Sequence, residues 1–514
     1  MSAQNTAEIG FEKTIWDAAC VLRGNIDAAE YKHVVLGLIF LKYLSDKFEE
    51  RYKTLKEEGE GFEEDRDAYA EKQVFYVPAS ARWKKISAKA HTPEIGKTID
   101  DAMTAIEKEN KKLKGVLPKN FARPELDKRR LGEVVDIFTN ISMHKHGGGR
   151  EGAHEGSIDI LGRAYEYCLG KFAEQEGKLA GEFYTPACVV KTLVEVIKPF
   201  NGRVYDPCCG SGGMFVQSAR FVEHHGDAWH PQGSVDSLSV FGQDSNPTTW
   251  KLCKMNLAIR GIEANLGEAA ADTFFNDLHK TEKMDFILAN PPFNLSDWGA
   301  NKLQNDVRWK YGLPPAGNAN FAWLQHMIFH LSAKGRMGMV LANGSLSSQS
   351  GGEGAIRQAI VEDDLVECIV AMPTQLFYTT QIPVSLWFLN KKKKQQGKTL
   401  FIDARTMGAM VSRRLREMTD QDIAAIAKTV DLFCEGKLKA QKGFCAAAST
   451  EEIAKQDYIL TPGRYVGIPD QENDAEPFDK KMTRLTDELG GLFAESHKLE
   501  KEIKKRLGAI GWEV

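Results

Sequence analysis

The apolar run at residues 284–289 stops at Asn290-Pro291-Pro292-Phe293. A stretch of strand length that ends on two prolines reads as a buried strand opening into a loop, because neither proline can donate to a ladder. In an open α/β sheet, ligands bind at such carboxyl ends. The loop offers the Asn290 amide, backbone carbonyls beside the rigid Pro291-Pro292 pair, and the Phe293 ring. That set suits a flat ring carrying an exocyclic amine, and adenine is such a ring.

A second set lies upstream. Asp206-Pro207-Cys208-Cys209-Gly210-Ser211-Gly212-Gly213 follows a short apolar run and precedes a helical segment from Met214 through Phe221 and beyond. Its glycines let the backbone pass close to a ligand, while a strand-end carboxylate and a helix amino terminus flank it. It is not the G-x-G-x-x-G fingerprint, whose third glycine position is Phe215, nor a P-loop, because no Gly-Lys-Ser/Thr follows. Asp244 ends the next predicted strand, where an acidic residue can hold ribose hydroxyls. Asp272 could accept from the amine of a cofactor adenine, or could cap a helix. Ahead of a helix starting near Ala187, the residues Glu182, Phe183, Tyr184, Thr185 and Pro186 could close a cofactor pocket from the other side, or could simply lead into that helix.

Residues so far apart in sequence need a scaffold that gathers them. Short apolar runs at 203–206, 239–244, 286–289, 336–341 and 365–372, each followed by a turn or a helical segment, predict an α/β fold with a doubly wound sheet. Two later runs, 384–389 and 399–403, have no long helix between them and are expected to form an antiparallel edge pair joined at 391–394. Before the sheet, Ile15, Ala18, Ala19 and Leu22, then Val34, Val35, Leu38, Leu41, Leu44 and Phe48, recur at helical spacing on either side of Gly24-Asn25. Further helical patterns fall at 95–106 and 131–138, and another begins at Ile160 and runs to Gly177. The Gly-rich stretch 144–152 marks a mobile loop and a boundary, and its His144 and His146 read as solvated side chains rather than metal ligands. The organisation expected is an α-helical amino-terminal domain at 1–150, a catalytic domain at 151–470 and an amphipathic helix at 471–514.

In that last segment Met482, Leu485, Leu489, Leu492, Leu499 and Ile503 follow a heptad rhythm that misses a beat at Ser496. Gly490-Gly491 weakens the segment as an isolated helix, so the seam needs something to settle against, either a partner or the rest of its own chain.

At 514 residues two or three domains are expected, and 42% hydrophobic with 27% charged residues is the balance of a soluble globular protein. Nothing reaches the length of a membrane span and the polar start is no signal peptide, which points to the cytoplasm. Nine cysteines without a C-x-x-C pair or a zinc-spaced cluster suit a reducing compartment. The adjacent Cys208-Cys209 pair reads as small-residue packing rather than redox chemistry. A net charge of -4 is not that of a protein gripping DNA unaided, so a partner would supply part of any such grip.

Taken in order, the Gly-rich loop, Asp244 and the Asn-Pro-Pro-Phe loop resemble the amino-type DNA methyltransferases that use S-adenosyl-L-methionine, in the gamma arrangement that modifies adenine N6. Gly242-Gln243-Asp244-Ser245-Asn246-Pro247-Thr248-Thr249-Trp250 and Met255-Asn256-Leu257-Ala258-Ile259-Arg260-Gly261 look more closely like the modification subunit of type I restriction-modification systems, HsdM. One departure is Asp244, where relatives commonly carry Glu. The resemblance implies a Rossmann-like methyltransferase domain and a methyl transfer to a flipped adenine in double-stranded DNA that needs no metal. Asn290 and the Pro291 carbonyl would accept the N6 hydrogens and Phe293 would stack on the base. It also implies a complex of two such subunits with one specificity subunit (HsdS), joined by a restriction subunit (HsdR) for cleavage, and offers the heptad tail as the piece that docks on HsdS. The competing expectations are a stand-alone adenine methyltransferase with its own target recognition and a non-catalytic scaffold with a methyltransferase fold.

Overall fold

A computed structural model describes residues 16, 20–22, 28–72, 74–140, 165–174, 184–229, 237–377, 382–412, 415–468 and 478–509. Glu182, Phe183, the loop at 144–152 and both ends of the helical pattern at 160–177 lie outside the described residues. The chain divides into two units, Met1–Val466 and Gly467–Val514.

The first unit opens on helices. Helix α1 (Ala28–Glu58) buries Val34, Leu38, Leu41, Leu44 and Phe48 along one side, the spacing that puts a stripe on one helix face. Helix α2 (Ile95–Glu109) buries Ile99, Met103 and Ile106, and α3 (Lys128–Asn140) buries Leu131, Val135 and Phe138. Around this bundle Phe48 stacks on Tyr69 with ring centres 4.7 Å apart.

The sheet starts after α4 (Ala187–Ile197). Strands β1 (Gly202–Asp206), β2 (Leu238–Gly242), β3 (Ala264–Asn265), β4 (Met284–Ala289), β5 (Leu331–Ala342), β6 (Val366–Ala371), β7 (Val384–Asn390), β8 (Lys398–Asp403) and β9 (Cys445–Ser449) form one nine-stranded sheet in the order β9-β8-β6-β7-β5-β4-β1-β2-β3. Pairing is parallel from β3 through β5 and between β6 and β8, and antiparallel wherever β7 or β9 takes part. Helices α4, α5 (Gly213–Trp229) and α9 (Asp420–Cys434) cover one face, while α7 (Asn320–His330) and α8 (Glu353–Glu362) cover the other. Helix α6 (Pro247–Ile259) faces two ways. Its Trp250 and Leu257 join the sheet core, while Leu252, Met255 and Ile259 join the helical bundle, where the Tyr43 hydroxyl donates to the Ile259 carbonyl at 2.9 Å. The bundle is thereby seated on the helix behind the Gly-rich loop.

The expected edge pair of 384–389 with 399–403 does not form. β7 is inserted between β5 and β6, antiparallel to both, and β8 lies on the far side of β6. The physical reason is burial, since all seven residues of β7 are buried and a strand apolar on both faces belongs inside a sheet. A polar lock pins this arrangement. Glu367 on β6 accepts from the Arg336 guanidinium of β5 at 2.7 Å and from the Asn390 amide of β7 at 2.9 Å.

The second unit holds α10 (Phe478–Ala509), which runs unbroken through Gly490-Gly491. The seam residues Met482, Leu485, Leu489, Leu492, Leu499 and Ile503 are exposed, together with Phe493. Pairs at i, i+4 such as Arg506 with Glu502 and Lys504 with Glu500 support its polar side. Among the described residues no helix is long and apolar enough to cross a membrane.

Candidate active site

Three neighbouring parallel strands, β4, β1 and β2, point their carboxyl ends the same way: Asn290 follows β4 directly, Asp206 is the last residue of β1, and Asp244 lies just beyond β2. A cleft between them is lined by Tyr184, Thr185, Asp206, Cys208, Cys209, Gly210, Ser211, Gly213, Met214 and Asn290. Both sets of residues with chemistry in the sequence therefore meet in one place.

The Gly-rich loop is held by its own strand ends. Asp206 Oδ1 accepts from the Cys208 amide and Asp244 Oδ2 from the Gly210 amide, each at 3.0 Å, and Asp244 Oδ1 accepts from the Asn246 amide at 2.8 Å. Gly210 and Gly212 have φ of 54° and 82°, the left-handed region glycine takes without a Cβ penalty. A Cβ on Gly212 would stand 2.9 Å from Cys253 Sγ, so the loop lies flat on α6. Burial pushes the Asp206 carboxyl up to about 7, and the neighbouring Asp244 charge adds to the rise. Burial likewise pushes the thiol of the half-buried Cys208 well above its usual value, which disfavours the thiolate.

Across the cleft, Asn290 Nδ2 donates to Thr185 Oγ1 at 3.0 Å, whereas Asn290 Oδ1 is shielded from solvent and has no hydrogen-bond partner among the described residues. A buried amide oxygen left unpaired costs about 1–3 kcal/mol, which a bound donor would recover. Pro291 is buried and Pro292 exposed; Phe293 is half-buried, edge-on to Phe377 with ring centres 5.9 Å apart. The other expected residues ring the cleft without lining it. Pro186 borders an adjoining pocket with Leu376, Leu415 and Glu417. The Pro207 carbonyl accepts from the Thr273 hydroxyl at 2.5 Å. Asp272 is exposed beside that contact, and its Oδ1 caps a turn by accepting from the Phe274 and Phe275 amides at 2.8 and 3.2 Å. No helix follows directly on Asp272, so it caps a turn and not the helix expected as the alternative, and the carboxylate keeps acceptor capacity toward solvent.

Sequence reasoning missed the side chains that hold these loops. Asn256 on α6 donates to the Ser211 carbonyl at 2.7 Å. Buried Gln243 donates to the Ala271 and Asn276 carbonyls and accepts from the Leu278 amide, which fixes the Asp272 turn to β2. Arg308 donates to the carbonyls of Thr273 at 3.1 Å and Phe274 at 2.6 Å and lies 3.1 Å from His326 Nδ1, while His326 Nε2 faces the Tyr205 hydroxyl at 3.1 Å. Burial holds His326 well below its usual pKa, so the ring is neutral beside the arginine. His326, His330 and Asp277 offer atoms within 4.8 Å of one another. His330 Nε2 is bonded to Asp277 at 2.8 Å, and with the His326 contact to Tyr205 this ties α7 to β1 and to the segment after the Asp272 turn. Gln243 and Asn256 stand inside the strings 242–250 and 255–261 that carry the resemblance, but the strings give them no role, and nothing in the sequence marks Arg308, His326 or His330, each a polar letter in an apolar or loop segment.

A cleft that pairs a Gly-rich, carboxylate-flanked loop with an unpaired amide oxygen at the next strand end suits a nucleoside cofactor on one side and an amine-bearing ring on the other. The family described as N-6 DNA Methylase matches residues 156–474, and the HsdM N-terminal domain matches residues 11–138. The chain belongs to the N-6 DNA methylase family. Among its relatives, the Type I restriction enzyme HindI methylase subunit of Haemophilus influenzae is 48% identical, over 85% of this chain and 100% of that protein. The Type I restriction enzyme MjaIX methylase subunit of Methanocaldococcus jannaschii is 39% identical, over 98% of this chain and 92% of that protein. A solved type I restriction-modification system methyltransferase subunit from Streptococcus thermophilus superposes with a TM-score of 0.74 at 26% identity, covering 89% of this chain and 99% of that one. This N-6 DNA methylase is a type I methylase subunit, an adenine-specific DNA methyltransferase whose cofactor is S-adenosyl-L-methionine. Its Gly-rich loop, flanked by Asp206 and Asp244, fits such a cofactor in charge and in close backbone approach.

Proposed function

We propose that Asn290, Pro291, Pro292 and Phe293 form the acceptor half of the site, and that the residues from Glu182 to Pro186 together with Asp206, Pro207, Gly210, Ser211, Gly212, Gly213, Asp244 and Asp272 form the cofactor half. Adenine N6 is a poor nucleophile, because its lone pair is delocalised into the ring, and in a duplex it is paired and stacked. The target base is therefore flipped into the cleft. Asn290 Oδ1 accepts one N6 hydrogen and the Pro291 carbonyl the other, which draws the nitrogen toward a tetrahedral, reactive geometry and opposes the positive charge that builds there. Phe293 stacks on the ring, and Pro292 keeps the loop rigid. S-adenosyl-L-methionine supplies a methyl group already activated on a sulfonium, so the chain's task is to hold acceptor and donor in line. The single observation that carries this reading is the shielded Asn290 Oδ1, without a partner among the described residues, on a side chain that lines one cleft with the Gly-rich loop.

The working assembly is two copies of this chain with one specificity subunit, which reads the DNA sequence, and a restriction subunit that joins for cleavage. The domains are the helical region at 1–150, the catalytic region at 151–470 and the docking helix at 471–514, and the compartment is the cytoplasm. The exposed seam of α10 supports docking on helices of the specificity subunit. A methyl-transfer assay on duplex DNA, run with and without the specificity subunit and read as N6-methyladenine, tests this. Product is expected only with both subunits. Product from this chain alone at a defined site would favour built-in target recognition, and failure to bind S-adenosyl-L-methionine would favour a scaffold.

A further inference from the structure

Phe293 is followed by Asn294, whose φ of 53° lies in the left-handed region, and the chain turns there. Asparagine tolerates a φ of 53° better than most residues but does not select it unaided. Asn320 supplies the selection. Its Oδ1 accepts from the Asn294 amide at 3.0 Å, and its Nδ2 donates to Asn294 Oδ1 at 2.9 Å, a reciprocal pair that fits the turned backbone. The Ala319 amide donates to the Leu295 carbonyl at 2.9 Å, and Asn318 Oδ1 accepts from the Asn320 amide at 3.0 Å, which extends the clasp on both sides.

Asn320 is the first residue of α7, and the capping position before it is Ala319, whose side chain has no polar atom, so the helix start has no side-chain cap. Instead the amide is turned onto the acceptor loop and is 1% exposed, among the buried Phe321, Ala322 and Leu324. A buried amide is retained where its hydrogen bonds are satisfied, and here those recorded run to Asn294. The same helix carries His326, which contacts Tyr205 one residue before Asp206 and the arginine that holds the Asp272 turn. One rigid element thus touches the acceptor loop at its start and the cofactor half further along.

We propose that Asn320 is a positioning residue for methyl transfer, locking Asn294 in its left-handed turn so that Asn290 and Phe293 address one base while α7 sets their register against the cofactor loop. This rests on the methyl-transfer reading above. The test uses the methyltransferase assembled with its specificity subunit on a duplex carrying the target adenine, and on the same duplex with 2-aminopurine at that position. Asn320→Ala is expected to lower kcat by about 10- to 100-fold, the scale of a misplacement near 1 Å, with the KM for S-adenosyl-L-methionine unchanged and the fluorescence rise of the flipped 2-aminopurine altered. Adding Asn294→Gly to that variant is expected to restore part of kcat, because glycine enters the left-handed region without a clasp. A wild-type kcat for Asn320→Ala would overturn the proposal, as would parallel loss of kcat and cofactor affinity without recovery in the double variant. Absence of N6-methyladenine with the unaltered assembly would instead overturn the reading on which it rests.

Discussion

Asp206 and Asn290 sit at the ends of adjacent strands, and burial acts on them in opposite senses. The amide oxygen of Asn290 is made hungry for a donor, while the carboxyl of Asp206 is made reluctant to ionise and is pushed up to about 7. Because the folded value lies above the unfolded one, Asp206 favours the folded chain fully at pH below the ordinary carboxylate range, and that contribution is lost as pH rises through about 7. S-adenosyl-L-methionine carries a net positive charge, so it favours the ionised form. Cofactor affinity measured by calorimetry should therefore strengthen as pH rises toward 7, by at most about tenfold per unit, and level off above. Asp206→Asn should flatten the profile, and a flat wild-type profile would remove Asp206 from the cofactor half. Most of these residues were legible in sequence, because the chemistry needs Asn-Pro-Pro-Phe and a Gly-rich turn as contiguous strings. Asn320 and Arg308 were not legible, and Gln243 was visible only as a letter of the 242–250 string without its role, since their partners are backbone or loop atoms that only the fold brings near.

Elements show where periodicity suffices and where it does not. Strands β1, β2, β4, β5 and β6 fall where short apolar runs predict them, and α1, α2 and α3 where the helical stripe does. The placement of β7 was not legible, because a hydrophobic run fixes that a strand is buried and leaves open which neighbours bury it. The lock that seats β7 gives a prediction at this scale. Glu367→Ala would leave the Arg336 charge, whose side chain is 23% exposed, without its partner. A loss of about 3 kcal/mol in stability is expected, the lower end for breaking a buried pair. It should appear in denaturant unfolding with kcat per folded molecule unchanged, and a variant as stable as the parent would show that β5, β6 and β7 hold together without the lock.

The whole molecule combines a catalytic face with a helix that has apolar surface to spare. Leu485, Leu489, Leu492 and Ile503 are 42–57% exposed, a continuous seam rather than scattered side chains. A net charge of -4 leaves most of the electrostatic attraction for DNA to other subunits. Deleting residues after Pro477 should abolish assembly with the specificity subunit, followed by size-exclusion chromatography, and leave S-adenosyl-L-methionine binding intact; assembly at the parental level would refute the docking role of α10. The heptad rhythm made that helix legible in sequence, and the unpaired seam required the fold. At the centre of the account stands one atom, Asn290 Oδ1, and one variant addresses it. Asn290→Ala, in the assembled methyltransferase, is predicted to lower N6-methyladenine formation by about 10²–10³-fold, the scale of a preorganised hydrogen-bonding partner, while cofactor affinity stays at the parental value. Methylation at the parental rate would contradict the account.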